Sequence, residues 1–267
     1  MARERIVYYS DAANEDYAGT HIDAKTVGKE FDFAPTRHTW RVTSWFVYTC
    51  IAMPLVSFYC YLVAGYRVKN RKARKSIQKH GYFLYANHTH FSDAFLAPIV
   101  ACPKRAFVLV SPDTVSIKGI RWLVQALGAV PIPQTLAAMP AFLDAVKQRI
   151  DENNCISIFP EAHLWQYCTF VRPFRDGAFR YPVQFHAPCI AVAVTYQKRR
   201  LPFFKTPRRT VFLSEPFFPD PALSPKAAQR ALKAQCEQFI TEKVAKYSTY
   251  AFVQYVKREE QPDEKKS

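Results

Sequence analysis

Glycine is scarce, at 7 of 267 residues. The chain has no Walker-type loop and no G-x-G-x-x-G run, which excludes the common glycine-rich phosphate cradles. Its seven cysteines (Cys50, Cys60, Cys102, Cys155, Cys168, Cys189 and Cys236) form no C-x-x-C pair. Structural zinc is therefore not expected. The odd number argues against a disulfide framework and for a reducing, cytosolic setting. Acidic residues are also few: 22 Asp and Glu stand against 37 Lys and Arg, a net charge of +15. That surplus favours an anionic partner, whether nucleic acid, anionic lipid or a phosphorylated substrate. With 49% hydrophobic residues, neither a disordered chain nor a multi-span membrane protein fits. The first forty residues mix five basic and seven acidic side chains, unlike a secretory leader.

Charge is missing altogether from Val42 to Tyr66, a run of 25 residues. As a helix rising about 1.5 Å per residue, this run is long enough to cross a bilayer. Trp45, Phe46, Phe58 and Tyr59 are its expected membrane-contacting side chains. Pro54 lies near the middle and is expected to kink or break the helix, because it removes a hydrogen bond. Basic residues then fill six of the nine positions from Arg67 to Lys75, Arg67, Lys69 and Arg71 among them. Cations beside an apolar helix bind anionic headgroups and stay on the cytoplasmic face. Arg37 and Arg41 flank the other end. Basic flanks on both sides favour an in-plane helix, or a hairpin broken at Pro54, over a single span.

From about residue 81 short apolar runs alternate with helical ones. Strands are predicted at Tyr82–Asn87, Arg105–Val110, Ala129–Ile132, Cys155–Phe159, Cys189–Tyr196 and Thr210–Leu213, all rich in Val, Ile, Phe and Tyr. Met139, Phe142, Leu143, Val146 and Ile150 recur at helical spacing after Thr135. Ser224-Pro225 opens another helix, with Leu232, Cys236, Phe239, Ile240, Val244 and Tyr247 as its apolar face. The expected class is α/β: a single domain with a mixed, largely parallel sheet flanked by helices, preceded by an N-terminal membrane-associated helical segment. The expected organisation is a polar lead-in over 1–40, the membrane-associated segment over 41–78, the main domain over 79–250 and a polar tail over 251–267.

Two polar islands follow predicted strands. Asn87-His88-Thr89-His90-Phe91-Ser92-Asp93 also opens a helix, and such junctions are where α/β proteins place reactive groups. A tight turn brings the Asp93 carboxylate to the His88 imidazole. One ring nitrogen is then held protonated and the other is free as a base. The second island is Phe159-Pro160-Glu161-Ala162-His163, where a Glu directly after an apolar strand points to a purpose beyond solvation.

Together with Gly128 to Gln134 and Pro188 to Val194, these islands form four blocks in fixed order. The set resembles the glycerolipid acyltransferases, typified by 1-acylglycerol-3-phosphate acyltransferase, over about residues 80 to 215. Asn87, His88 and Asp93 match N-H-x-x-x-x-D. Gly128-Ala129-Val130-Pro131-Ile132-Pro133-Gln134 looks like the second block, and Phe159-Pro160-Glu161-Ala162 like F-P-E-G. The resemblance implies that His88 is general base on an acceptor hydroxyl and that Asp93 orients it. It implies direct attack on the thioester of acyl-CoA or acyl-carrier protein, with no covalent enzyme intermediate and no cofactor. The expected acceptor is a lysophospholipid, foremost 1-acylglycerol-3-phosphate, and the expected surface an anionic membrane. Gly128, Ile132, Gln134, Phe159, Pro160, Glu161, Arg172 and Arg175 are the substrate-binding candidates. The chain departs from the family where Gln134 replaces the closing Arg of the second block. It departs again where Ala162-His163-Leu164-Trp165 lacks the third block's Gly and downstream Arg. Arg172, Arg175 and Arg180 are the nearby guanidinium groups suited to phosphate. His163 is read as a partner of Glu161.

Two rivals were weighed. His88, His90, Asp93, Glu161 and His163 are plausible ligands for a metal-dependent hydrolase, but their spacing matches no trusted metal signature, and no metal is expected. Lys198, Arg199, Arg200, Lys205, Arg208 and Arg209 surround Phe203 and Phe204. Such interleaving suits RNA or a headgroup layer, and the apolar run tips the balance to membrane, with no nucleic acid partner.

Overall fold

The computed structural model describes residues 5–17, 26–117, 119–200 and 204–258. Lys118, Phe203 and residues 259–267 of the expected tail lie outside the described residues. Nine strands are described. They are β1 (Arg5–Tyr9), β2 (Tyr66–Lys69), β3 (Tyr82–Ala86), β4 (Ala106–Val110), β5 (Ala129–Pro131), β6 (Cys155–Ile158), β7 (Cys189–Gln197), β8 (Arg208–Leu213) and β9 (Val253–Lys257). Seven form one sheet in the order β2-β8-β7-β3-β6-β4-β5. Only the β7–β8 pairing is antiparallel; the other five are parallel. The sheet is thus mixed and largely parallel, as expected.

The central strands are apolar at nearly every position because both faces are covered. Phe83, Tyr85, Ile156 and Ile158 face one core with Phe142 and Val146 of helix Met139–Asp151, and with Leu232, Cys236, Ile240 and Val244 of helix Pro225–Tyr247. Tyr82, Leu84, Ala86, Ile190, Val192 and Val194 face the other, under helix Leu96–Ala101. The Ser224 hydroxyl accepts from the Ala227 N–H and caps the last long helix, with Pro225 as its first residue.

The apolar run forms one continuous helix, His38–Val63. Pro54 does not break it, and the hairpin reading is corrected. The π-helical turn Val47–Ala52 lies directly before Met53-Pro54, and Ala52 and Met53 keep right-handed helical angles. Wider turns of this kind let a helix run on where proline removes a bond. The helix is long and apolar enough to cross a membrane, yet it is docked lengthwise on the second core. Tyr48 Oη accepts the Ala106 N–H at 3.0 Å at the start of β4. Cys60 is fully buried, and Tyr59 meets Phe95 edge-on at 5.9 Å. Only 11% of its most apolar window is buried. Val42, Trp45, Phe46, Leu55, Phe58 and Leu62 remain exposed.

Three strands escape the sequence reading. Tyr66–Lys69 is an edge strand, so the first basic residues lie within the sheet rather than in a flank. β1 pairs with β9, which ties part of the expected lead-in to part of the expected tail. Gly81, just before β3, leaves no room for a side chain: a Cβ there would stand 2.1 Å from the Ile150 carbonyl oxygen. Gly81→Ala is expected to cost about 1–3 kcal/mol of stability, read as a lowered denaturant midpoint. An unchanged midpoint would show that β3 and the Met139–Asp151 helix separate easily.

Candidate active site

The site forms where β3 ends. Asn87 takes over the strand's pairing with its side chain. Its Nδ2 donates to the Val194 carbonyl at 3.0 Å, and its Oδ1 accepts the Val194 N–H at 2.8 Å. This fixes the turn at the point where the chain leaves the sheet. Asp93 closes the turn, its Oδ2 accepting from Thr89 N at 2.6 Å and His90 N at 2.7 Å. The same oxygen lies 3.3 Å from His88 Nδ1. Two backbone donors hold the carboxylate in place, and His88 Nδ1–H is its third partner. That leaves Nε2 with the lone pair. His88 is about one-fifth exposed, and its ring stacks on Phe159 with centroids 4.4 Å apart.

His90 turns the other way. Its Nδ1 accepts the Ser92 N–H at 3.1 Å, so Nε2 carries the proton and donates to the Tyr167 hydroxyl at 3.2 Å. Burial, aided by the nearby Arg209 charge, pushes its pKa down to about 4. His90 is thus neutral near pH 7 and structural in its contacts. Arg209 is almost fully buried behind the turn and donates to Ser92 Oγ at 2.8 Å. Its guanidinium lies over the Tyr66 and Tyr167 rings. The sequence reading set Arg209 in an exposed basic stretch and His90 among rival metal ligands; the structure turns both inward, Arg209 being the second residue of β8.

Glu161 and Arg172 lie elsewhere than expected. Both are buried, and Arg172 Nη2 donates to Glu161 Oε2 at 2.6 Å. Glu161 also accepts from His88 N and Arg172 N at 3.2 Å each. Arg172 Nη2 reaches the carbonyls of His88 and His163, and its guanidinium stacks over Trp165 at 5.0 Å. Burial pushes the Glu161 carboxyl up, while Arg172 and the two backbone donors oppose it. The pair is sequestered in this arrangement and grips the His88 backbone from both sides. Ala162 follows in the left-handed region at φ 65°, where the family's glycine carries no Cβ penalty.

The N-terminal segment seats on the same loop. Trp165 Nε1 donates to the Glu15 carbonyl at 2.7 Å, and Tyr17 N to the Leu164 carbonyl at 3.0 Å. Arg175, although exposed, donates to the Ala13 carbonyl and to Asn14 Oδ1. His163 faces Asp16 at 3.6 Å rather than the Glu161 side chain. Phe159 and Pro160 follow β6, with Phe159 against the His88 ring. Ile132 and Gln134 are exposed just after β5, three strand positions from β3 or about 14 Å. Gly128 lies at the opposite end of β5, with φ 102° and a virtual Cβ 2.5 Å from the Ala106 carbonyl oxygen; its role is close backbone approach. The proposed metal donors do not converge. His90 faces Tyr167, Glu161 faces Arg172, and no group of three such residues able to hold an ion occurs among the described residues.

Glu161→Gln leaves the Arg172 charge buried without its partner and is expected to cost about 3–5 kcal/mol. Adding Arg172→Met should restore part of the loss. A Glu161→Gln protein that melts with the wild type and loses only substrate affinity would return Glu161 to the binding site.

The family model described as Acyltransferase matches residues 67–195. No curated protein matches the chain. Among solved structures, the 1-acyl-sn-glycerophosphate (LPA) acyltransferase PlsC from Thermotoga maritima is similar, with a TM-score of 0.55 at 15% identity, over 79% of this chain and 89% of that one. Identity that low speaks for the fold alone. Residues 67–195 thus match the acyltransferase family model, and the chain resembles the glycerolipid acyltransferases in both motif order and fold.

Proposed function

We propose that the chain moves a fatty acyl group from acyl-CoA or acyl-carrier protein to the hydroxyl of a lysophospholipid at a membrane surface. The carrying observation is the His88 Nδ1 to Asp93 Oδ2 contact at 3.3 Å, with Asp93 held by two backbone N–H groups. On this reading His88 Nε2 takes the proton of the acceptor hydroxyl as its oxygen attacks the thioester carbonyl. The tetrahedral adduct collapses, the C–S bond breaks, and the imidazolium returns the proton to the departing thiolate. A positioned base of this kind is worth about 10²–10⁴ in rate. Asp93 balances the transient positive charge on the ring and fixes the tautomer.

The acceptor proposed first is 1-acylglycerol-3-phosphate, which the four blocks favour. One observation favours a lysolipid with another headgroup. Arg172 is buried against Glu161, and Arg175 is engaged by Ala13 and Asn14. Neither guanidinium stands open to a phosphate in this arrangement.

Membrane attachment is assigned to the outer face of helix His38–Val63, which lies in the plane of the interface. Tyr48 and Cys60 fasten its two halves to the domain, so an upright crossing requires the helix to leave the second core. The edge-on contact of Tyr59 with Phe95 sets the C-terminal half beside the Phe91–Ala101 segment that opens at the catalytic turn. Phe91, exposed next to that turn, extends the apolar face. On this reading the base stands near the depth of a lysolipid hydroxyl, and the side proposed is the cytoplasmic one.

Thiol release from acyl-CoA and from acyl-carrier protein, across a panel of lysolipids, tests the proposal. His88→Ala is expected to lower turnover by about 10²–10⁴ while membrane binding persists. Asp93→Asn is expected to lower kcat more than it raises KM. Release independent of lysolipid or of His88 would contradict the reading.

A further inference from the structure

A second basic feature lies at the other side of Tyr66 from the catalytic turn. A cavity of about 500 Å³ opens where the apolar helix ends. Arg67, Arg199, Arg200 and Arg208 line it, and no carboxylate does so among the described residues. Tyr61, Leu62 and Phe204 supply apolar wall beside Gly65 and Tyr66, and all three are exposed to the outside.

The elements that bring the four arginines together are fixed. Arg67 is on edge strand β2 and Arg208 on the neighbouring β8. The register pairs Tyr66 with Arg209 and Arg67 with Thr210. Alternation therefore sends Arg209 inward to the Ser92 layer and keeps Arg208 on the outer side with Arg67. Arg199 is anchored by donating to the Val63 carbonyl at 2.6 Å, the last turn of the apolar helix, and by stacking on Phe204 at 4.2 Å. The Nε atoms of Arg199 and Arg208 are buried with no hydrogen-bond partner among the described residues. Partial burial and neighbouring cations depress both guanidinium pKa values, Arg67 and Arg200 acting on Arg208 and Arg209 on Arg199.

Four cations gathered without an anion repel one another, and an arrangement of that kind is stabilised by a bound anion. Guanidinium forks match the oxygens of a phosphate. The apolar rim, continuous with the exposed face of the helix, matches the acyl portion of the same molecule. We propose that this cavity binds the phosphate headgroup of an anionic phospholipid, separately from the acyl-acceptor site, and so fixes the angle at which the domain lies on the bilayer. The proposal rests on the membrane-bound reading above. It adds a discrete phosphate-recognising site to what was a general attraction of charge for surface.

Flotation of the full chain with lipid vesicles tests it. One set is phosphatidylcholine with phosphatidic acid. The other carries the same surface charge as fatty-acid carboxylate. The variant Arg67→Gln/Arg200→Gln removes two exposed cavity cations. Lys226→Gln/Arg230→Gln removes two exposed cations from the N-terminal end of helix Pro225–Tyr247, whose C-terminal end is the one beside the start of β8. One cation near an acidic leaflet is worth about fivefold in partitioning. The cavity variant is therefore expected to lose about tenfold or more on phosphatidic acid vesicles, and the distant variant less than about threefold. Wild type should prefer phosphate to carboxylate vesicles, and inorganic phosphate should compete only weakly. Equal losses for the two variants, equal binding to the two vesicle types, or no association of wild type with acidic vesicles each overturn the proposal. So does a cavity variant that loses RNA binding but keeps vesicle binding. Turnover of monomeric lysolipid needs no vesicle, so it reports on the acyltransferase reading independently of these outcomes.

Discussion

The buried Glu161–Arg172 pair is the constraint on which the site depends. Taking two charges out of water costs several kcal/mol per ion, and attraction alone seldom offsets this. Here Glu161 and Arg172 Nη2 also bond to the backbone of the His88 turn. Glu161 receives the His88 N–H, and Arg172 donates to the His88 carbonyl. The ion pair thereby joins the end of β6 to the end of β3. Through Trp165, stacked under Arg172, it also reaches Glu15 and the strand pair that closes the two ends of the chain. A change in any of these parts is transmitted to the position of His88.

Around that clamp the polar groups are sorted by role. His88 is the partly exposed member of the site, with Asp93 buried directly behind it. His90, Ser92, Tyr167 and Arg209 form an inner layer closed off from solvent. The two histidines are only two residues apart, yet extended geometry sends them to opposite sides. One keeps a nitrogen free, and the other has both nitrogens engaged. The apolar helix runs along the same domain from the start of β4 to the neighbourhood of Phe95. It thus links the exposed apolar surface to the end of the sheet where His88 and Asp93 stand.

Much of this was legible in the sequence, for identifiable reasons. Strands buried on both faces write themselves as uninterrupted apolar runs, and all six predicted strands were found within two residues of their predicted ends. The His88–Asp93 turn was legible because the two residues are local, five positions apart. What stayed hidden depends on distance or on the edge of the fold. β2 is an edge strand whose Arg67 and Lys69 read as a basic flank. β1 and β9 find each other across almost the whole chain. Arg172 looked like a phosphate ligand because nothing in its neighbourhood announces a buried carboxylate 11 residues away. Pro54 was misjudged because a π-helical turn ahead of it absorbs the lost bond.

The central claim is that Asp93 holds the proton on His88 Nδ1 and leaves Nε2 unprotonated, ready to take a proton from an alcohol. Nitrogen-15 NMR of the imidazole side chains at neutral pH reads this directly, with His88→Gln assigning the signal. The account predicts a neutral His88 ring with its proton on Nδ1, and loss of that preference in Asp93→Asn. A His88 ring with its proton on Nε2, or one unaffected by Asp93→Asn, would contradict it.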